Sequence, residues 1–160
     1  MSHDKPISVL FVCMGNICRS PMAEAVFRHL VQEASLASRF EIASVGTGGW
    51  HVGERPHPGT QAVLQRNGVA VGDQRAQRLS HADLEHYDYI IAMDEENLDD
   101  ISRLHHDIAG TVRRLLEFAP AGGPLDVPDP YYTGGFDQVY DLVTAGCRGL
   151  LLHIRAQEGV

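Results

Sequence analysis

The apolar positions of this chain fall into short runs that alternate with helical stripes. That alternation predicts a parallel sheet covered by helices on both faces. Residues 7–12 are nearly all apolar and mostly branched, as a strand buried on both sides must be. The pattern breaks over 13–19. It resumes as a helix in which Met22, Val26 and Leu30 share one face, widened by Ala23, Phe27 and Val31. Ser20 is placed to cap that helix, and Pro21 suits its first turn, where no backbone donor is needed. Residues 40–45 predict a second strand, which runs into Gly46-Thr47-Gly48-Gly49-Trp50. A helix over 58–67 stops at Gly68. Ser80 with Asp83 marks another helix start. Residues 87–93 predict a third buried strand, Asp94 a cap for the helix after it, and 112–116 a fourth strand.

Residues 119–135 are rich in Pro and Gly and predict one long loop ending in Asp126-Val127-Pro128-Asp129-Pro130-Tyr131-Tyr132. Loops of this length inside a compact domain are usually functional or disordered. The last helix carries Phe136, Val139, Tyr140, Val143, Cys147, Leu150, Leu151 and Ile154 on one face. There is no internal repeat and no linker. The expectation is a single three-layer α/β domain over residues 1–160, with 1–6 as a flexible tail.

Charge and composition narrow the partners. The 160 residues carry a formal net charge of −8, which argues against nucleic acid, whose phosphates reward clustered Lys and Arg. No run is long and apolar enough to span a membrane. The polar N-terminus lacks a signal-peptide core, so a cytoplasmic location is expected. Three cysteines without paired spacing fit neither a disulfide scaffold nor a zinc site. The nine histidines show no metal-ligand spacing, and His105-His106 reads as surface.

The candidate chemistry lies in Cys13-Met14-Gly15-Asn16-Ile17-Cys18-Arg19-Ser20-Pro21, between the first strand and the first helix. Ligands of open α/β sheets bind beyond the carboxyl ends of the strands, where Cys13 falls. The amides of a tight loop can converge on an anion, and the following helix adds its positive end. Gly15 permits a backbone conformation that other residues resist. Arg19 can grip two phosphate oxygens with its planar fork. A free thiol has a pKa of about 8.5, and such surroundings bring it to roughly 3.5–7.5, ready for attack on phosphorus. Without that context, Cys13 would be a buried strand-end cysteine and Arg19 a surface residue.

Val12 to Glu24 resembles the signature of the low-molecular-weight protein tyrosine phosphatases. The resemblance extends to residues 44–53, to Met93-Asp94 and to Asp129-Pro130-Tyr131-Tyr132, so it covers nearly the whole chain in order. It implies a four-stranded parallel sheet flanked by helices, a phosphate-binding loop after the first strand, and no metal or organic cofactor. It also implies phosphotyrosine proteins as substrates and inorganic phosphate as product and inhibitor, on a monomer or weak dimer. Cys13 would be the nucleophile, Arg19 the oxyanion grip and Asp129 the general acid and base. Met14, Gly15, Asn16, Ile17, Cys18 and Ser20 would form the phosphate cradle, and Ser44 would support Asn16. Where many relatives carry a His to steady that Asn, this chain has Gln74 or Asp73, and the support must come from Gln74 or be missing.

Several residues keep a second reading. Asp129 could be a turn carboxylate, as Asp-Pro sequences often are, and Asp126 is a competing acid. Ser44 could be only a strand end. Ser20 could cap its helix, hydrogen-bond the Cys13 sulfur, or do both. Cys18 could be packing, or could protect Cys13 by a disulfide; Cys147 reads as core. Trp50, Tyr131 and Tyr132 could wall an aromatic slot, and by resemblance the two tyrosines are themselves phosphorylation targets. Ile17 stands where related arginine phosphatases carry Thr, which favours phosphotyrosine. An arsenate reductase on the same fold would need further cysteines over 74–94, and there are none. A non-catalytic phosphate-binding module would not need the Cys13, Arg19 and Asp129 set.

Overall fold

The computed structural model describes residues 5–104, 108 and 110–160; His105 and His106 lie outside them, as does most of the expected tail. β1 (Ile7–Cys13) is followed by α1 (Arg19–Glu33), and β2 (Phe40–Gly46) by α2 (Pro58–Arg66) and α3 (His81–His86). β3 (Tyr89–Ala92) leads into α4 (Glu95–Leu104). β4 (Thr111–Arg114) precedes α5 (Pro130–Thr133) and the long α6 (Phe136–Glu158). The sheet order is β2-β1-β3-β4 and every pair is parallel. The result is one α/β domain, as expected.

The strand alternation that makes β1 wholly apolar also divides the core. Val9 and Phe11 face one layer with α1, α2 and α6, while Leu10 and Val12 face the other with Leu84 and Ile101 of α3 and α4. Phe27 links strand to helix on the first face, with edge contacts to Phe11 at 5.6 Å and to Phe40 at 5.7 Å. The predicted stripe of α6 is the one that is buried: Val139, Val143, Cys147, Leu150, Leu151 and Ile154. Gly149 interrupts that stripe because a Cβ there would come within 1.8 Å of the Phe118 carbonyl oxygen.

Three boundaries differ from the expectation. The third strand is shorter, since Tyr87 ends α3 and pairing begins at Tyr89. The fourth stops at Arg114, and the apolar pair Leu115-Leu116 turns instead into a short 3-10 helix. The long loop is interrupted by α5, whose first residue is Pro130. For the site, the decisive feature is the direction change at β1. Its neighbours β2 and β3 are reached by crossovers on opposite sides, which opens a crevice beyond Cys13.

Candidate active site

Residues 13–18 form a loop whose carbonyls are held from outside. The Thr47 N–H donates to the Cys13 carbonyl at 2.9 Å, Gly48 to Met14 at 2.9 Å and His57 to Ile17 at 2.7 Å. The Thr60 hydroxyl takes the Cys18 carbonyl at 3.1 Å. With the carbonyls engaged outward, the loop is a nest of amides around the end of β1. The Asn16 N–H donates to Cys13 Sγ at 3.3 Å. Asn16 itself adopts φ +57, a left-handed conformation that Asn tolerates better than most residues.

The side chain of Asn16 points away from the cleft and ties the loop together. Its Nδ2 donates to Ser20 Oγ at 2.8 Å and to Ser44 Oγ at 3.0 Å, and its Oδ1 accepts from the Gln77 N–H at 2.9 Å. Ser44 is therefore a loop support as well as a strand end. Gln74 is not one: its Nε2 donates to the Pro21 carbonyl at 3.2 Å, and its Oε1 is buried without a hydrogen-bond partner. The backbone of Gln77 supplies the support expected from Gln74.

Ser20 does not cap α1. The N-cap is Cys18, without a side-chain cap, and Ser20 sits one residue inside the helix. Its hydroxyl lies 2.9 Å from Cys13 Sγ instead, because the loop curls the sulfur back over the first turn. Cys18 is buried, and desolvation, helped by Asp129 and Cys13, pushes its thiol up to about 12. Cys147 is fully enclosed in the core, with its thiol also pushed up by burial.

Arg19 opens α1 and is 97% buried, with 3% of its surface exposed. Its Nη1 donates to Asp94 Oδ2 at 2.5 Å and to the Val127 carbonyl at 3.0 Å, and its Nη2 lies 3.5 Å from Asp129 Oδ2. Burial works against its charge, but Cys13, Asp94 and Asp129 outweigh it and raise its pKa further. Its Nε is buried without a hydrogen-bond partner, a donor that an oxyanion in the nest would satisfy. Asp129 caps α5, accepting from the Tyr131 N–H at 3.1 Å through Oδ1, and so turns Oδ2 toward Arg19. Asp126 is elsewhere: it accepts from the Glu95 N–H and from Arg114, both at 3.1 Å.

These elements enclose a cleft of about 400 Å³. Cys13, Met14, Gly15, Ile17, Cys18 and Arg19 form its floor; Trp50, Asp129, Tyr131 and Tyr132 form its walls. The walls are exposed aromatics, Trp50 at 71% and Tyr132 at 70%, which a core would not leave in water. Asn16 and Ser20 do not line the cleft; both lie buried behind the loop. Two residues near the cleft went unread in the sequence. His51, on the wall, packs 6.0 Å from the Tyr131 ring and pairs with Glu54 at 3.0 Å. The sequence pattern marks Asp94 only as a helix cap. Its place just beyond β3, on the same sheet edge as Cys13, was the available signal.

The family model for low molecular weight phosphotyrosine protein phosphatase matches residues 8–159. The chain belongs to that family. It is 46% identical over 153 residues to the low molecular weight protein-tyrosine-phosphatase YfkJ of Bacillus subtilis, covering 95% of this chain and 98% of that protein. The crystal structure of YfkJ superposes with a TM-score of 0.92 over 96% of this chain and 97% of that one. PtpA of Staphylococcus epidermidis is 45% identical, over 92% of this chain and 94% of its own. The arginine phosphatase of Drosophila is 32% identical with a TM-score of 0.85, covering 92% of this chain and 97% of that one.

Proposed function

We propose that this member of the family hydrolyses phosphotyrosine in proteins through a phosphocysteine on Cys13, with Asp129 as general acid and base. The observation that carries the reading is that Cys13 and Arg19 share the floor of one aromatic-walled cleft, with the Asp129 carboxylate 3.5 Å from the Arg19 guanidinium. In the first step the sulfur forms a bond to phosphorus while the bond to the phenolic oxygen breaks. The Asp129 proton goes to that oxygen as it leaves. The loop amides and Arg19 stabilise the equatorial oxygens. In the second step the Asp129 carboxylate takes a proton from water, the water oxygen bonds to phosphorus, and the sulfur leaves as a thiolate. The Ser20 hydroxyl hydrogen-bonds the departing sulfur. Phenol and inorganic phosphate are the products, and phosphate inhibits by re-entering the nest.

The flanking Trp50, Tyr131 and Tyr132 suit a flat phenyl ring, and Ile17 on the floor adds apolar area beside it. A peptide panel carrying phosphotyrosine, phosphoarginine or phosphoserine tests this directly. Phosphotyrosine is expected to give the highest kcat/KM; preference for either of the others overturns the substrate assignment. Proteins bearing phosphotyrosine are thus the proposed partners, with no cofactor in either step. Among the described residues, no helix is long and apolar enough to cross a membrane.

A further inference from the structure

Glu24 is a buried carboxylate that the proposed reaction does not use. It projects from α1 behind the phosphate-binding loop, and its oxygens have separate partners. Oε2 accepts from the Arg28 guanidinium, one turn along the same helix. Oε1 accepts from Ser44 Oγ at 2.7 Å. Arg28 is half-exposed and also reaches the Ile42 carbonyl at 3.4 Å, well outside the cleft.

A carboxylate can only accept hydrogen bonds, and a serine has one proton to give. With that proton committed to Glu24, Ser44 must accept from Asn16 Nδ2, 3.0 Å away. The Gln77 N–H holds the other end of the same amide. The second Nδ2 proton goes to Ser20 Oγ at 2.8 Å, and the Ser20 proton has two acceptors, the Cys13 sulfur at 2.9 Å and the more distant Val45 carbonyl at 3.4 Å. Glu24 thus takes the Ser44 proton and leaves the Ser44 oxygen to the Asn16 amide, which the Gln77 N–H orients from its other end.

We infer that Arg28 and Glu24 are positioning residues: their ion pair holds the Ser44 hydroxyl as an acceptor for Asn16, and so steadies the amide whose second proton occupies Ser20 Oγ and leaves the Ser20 hydroxyl to the Cys13 sulfur. The inference rests on the reading of Cys13 as nucleophile. It assigns a kinetic role to a helix-surface arginine that touches neither substrate nor loop.

Glu24→Gln preserves shape but alters polarity. Arg28 holds the amide oxygen, so the amide nitrogen faces Ser44, whose own proton loses its acceptor. The expected result is a fall in kcat of about tenfold on an aryl phosphate, with slower alkylation of Cys13 by iodoacetate and KM within about twofold. In Glu24→Gln with Arg28→Met the amide is free to turn, and kcat is expected to recover part of the loss. Arg28→Met alone is expected to lower kcat severalfold, and Arg28→Lys to restore it. Thermal midpoints measured alongside separate misfolding from misdirection. Wild-type kcat in both Glu24→Gln and Arg28→Met overturns the inference, as does a double variant no better than Glu24→Gln. If Glu24→Gln does not fold, Arg28→Met against Arg28→Lys decides alone. Cys13→Ser in the same assays keeps the two claims apart: if it still turns over, the site reading itself fails, whereas an inactive Cys13→Ser beside unaffected Arg28 and Glu24 variants sinks only this inference.

Discussion

Asp94 divides its carboxylate between two elements: Oδ2 takes Arg19 Nη1 at 2.5 Å, and Oδ1 takes the Asn97 N–H at the start of α4 at 2.8 Å. One side chain thus caps a helix and fixes a guanidinium on the floor of the cleft. Asp94→Asn retains a good cap but offers a single oxygen for two donors. It is expected to lower kcat/KM for an aryl phosphate by roughly 10- to 100-fold with little change in the urea midpoint. Asp94→Ala should lose the same activity and, with the cap gone, about 1 kcal/mol of stability. Wild-type kinetics in Asp94→Asn would mean that the Val127 carbonyl and Asp129 suffice to hold Arg19.

Cys13→Ser separates binding from chemistry. The amide nest and Arg19 are untouched by the change, so phosphate should still bind, as isothermal titration would show. Turnover should fall by at least about 10⁴-fold, because a hydroxyl at this position has no adjacent base to activate it. Residual hydrolysis near the wild-type rate would remove Cys13 from the mechanism.

Asp129→Asn keeps the α5 cap, since Asn caps as well as Asp does, and so isolates the proton. The expected loss grows with the pKa of the leaving phenol, toward about 10²–10⁴-fold for tyrosine-like groups and much less for activated nitrophenols. Equal loss across a series of aryl phosphates would point to a binding role for this carboxylate.

Burial of thiols and a phenol gives the fold an alkaline limit. Cys18 is pushed up to about 12, Cys147 is pushed up by desolvation, and Tyr87 is pushed up to about 12, again chiefly by burial. In the unfolded chain the two thiols ionise from about pH 8.5 and the phenol from about pH 10. The folded state then holds more protons than the unfolded one, so stability is full below those values and declines as pH rises toward 12. Urea midpoints at pH 8, 9 and 10 should fall steadily. Cys147→Ala starts from a lower stability because it opens a cavity, but its decline should be shallower, by up to about 1.4 kcal/mol per pH unit. Parallel curves would assign the alkaline loss to other groups.

How far the sequence foretold this molecule varies by residue. β1 was legible because a strand buried on both faces must be apolar throughout, and α6 because its stripe recurs along 23 residues. The apolar pattern extends past the end of β4 because Leu115 and Leu116 are as apolar as a strand. What ends the strand is its partner β3, which supplies only Tyr89 to Ala92 for pairing. α5 is four residues long and shows no periodicity at all. In the site, Cys13, Arg19 and Asp129 were readable from short motifs, and the structure places them around one cleft. The contact of Asp94 with Arg19 was not, and that of Ser20 with the Cys13 sulfur was readable only as one of two roles, for one reason. A hydroxyl or carboxylate at a helix start can bond the local backbone or a distant side chain, and only the fold decides. For Asp94 the fold brings in Arg19, 75 positions away, as a second partner.

Gly46 is the least conspicuous residue on which the loop depends. It ends β2, opposite Cys13 in the ladder, and its N–H and carbonyl are bonded to Gln77 and Leu79 at 2.8 Å each. A Cβ there would lie 2.8 Å from the Met14 carbonyl oxygen and 3.1 Å from both the Asn16 nitrogen and the Gly15 carbonyl carbon. All three contacts are backbone, so no side chain can rotate away. The strand is fixed by its ladder, and the loop must give instead. Gly46→Ala is therefore expected to shift residues 14–16 and misalign the amides with the anion. The inhibition constant for inorganic phosphate should rise by roughly tenfold or more, and kcat/KM should fall in step. Global stability should drop by about 1–3 kcal/mol, the usual range for overpacking. Circular dichroism and a phosphate inhibition series on the one variant check both halves. Unchanged phosphate inhibition would show that the nest tolerates a displaced backbone, and that its hold on the anion comes from Arg19 alone.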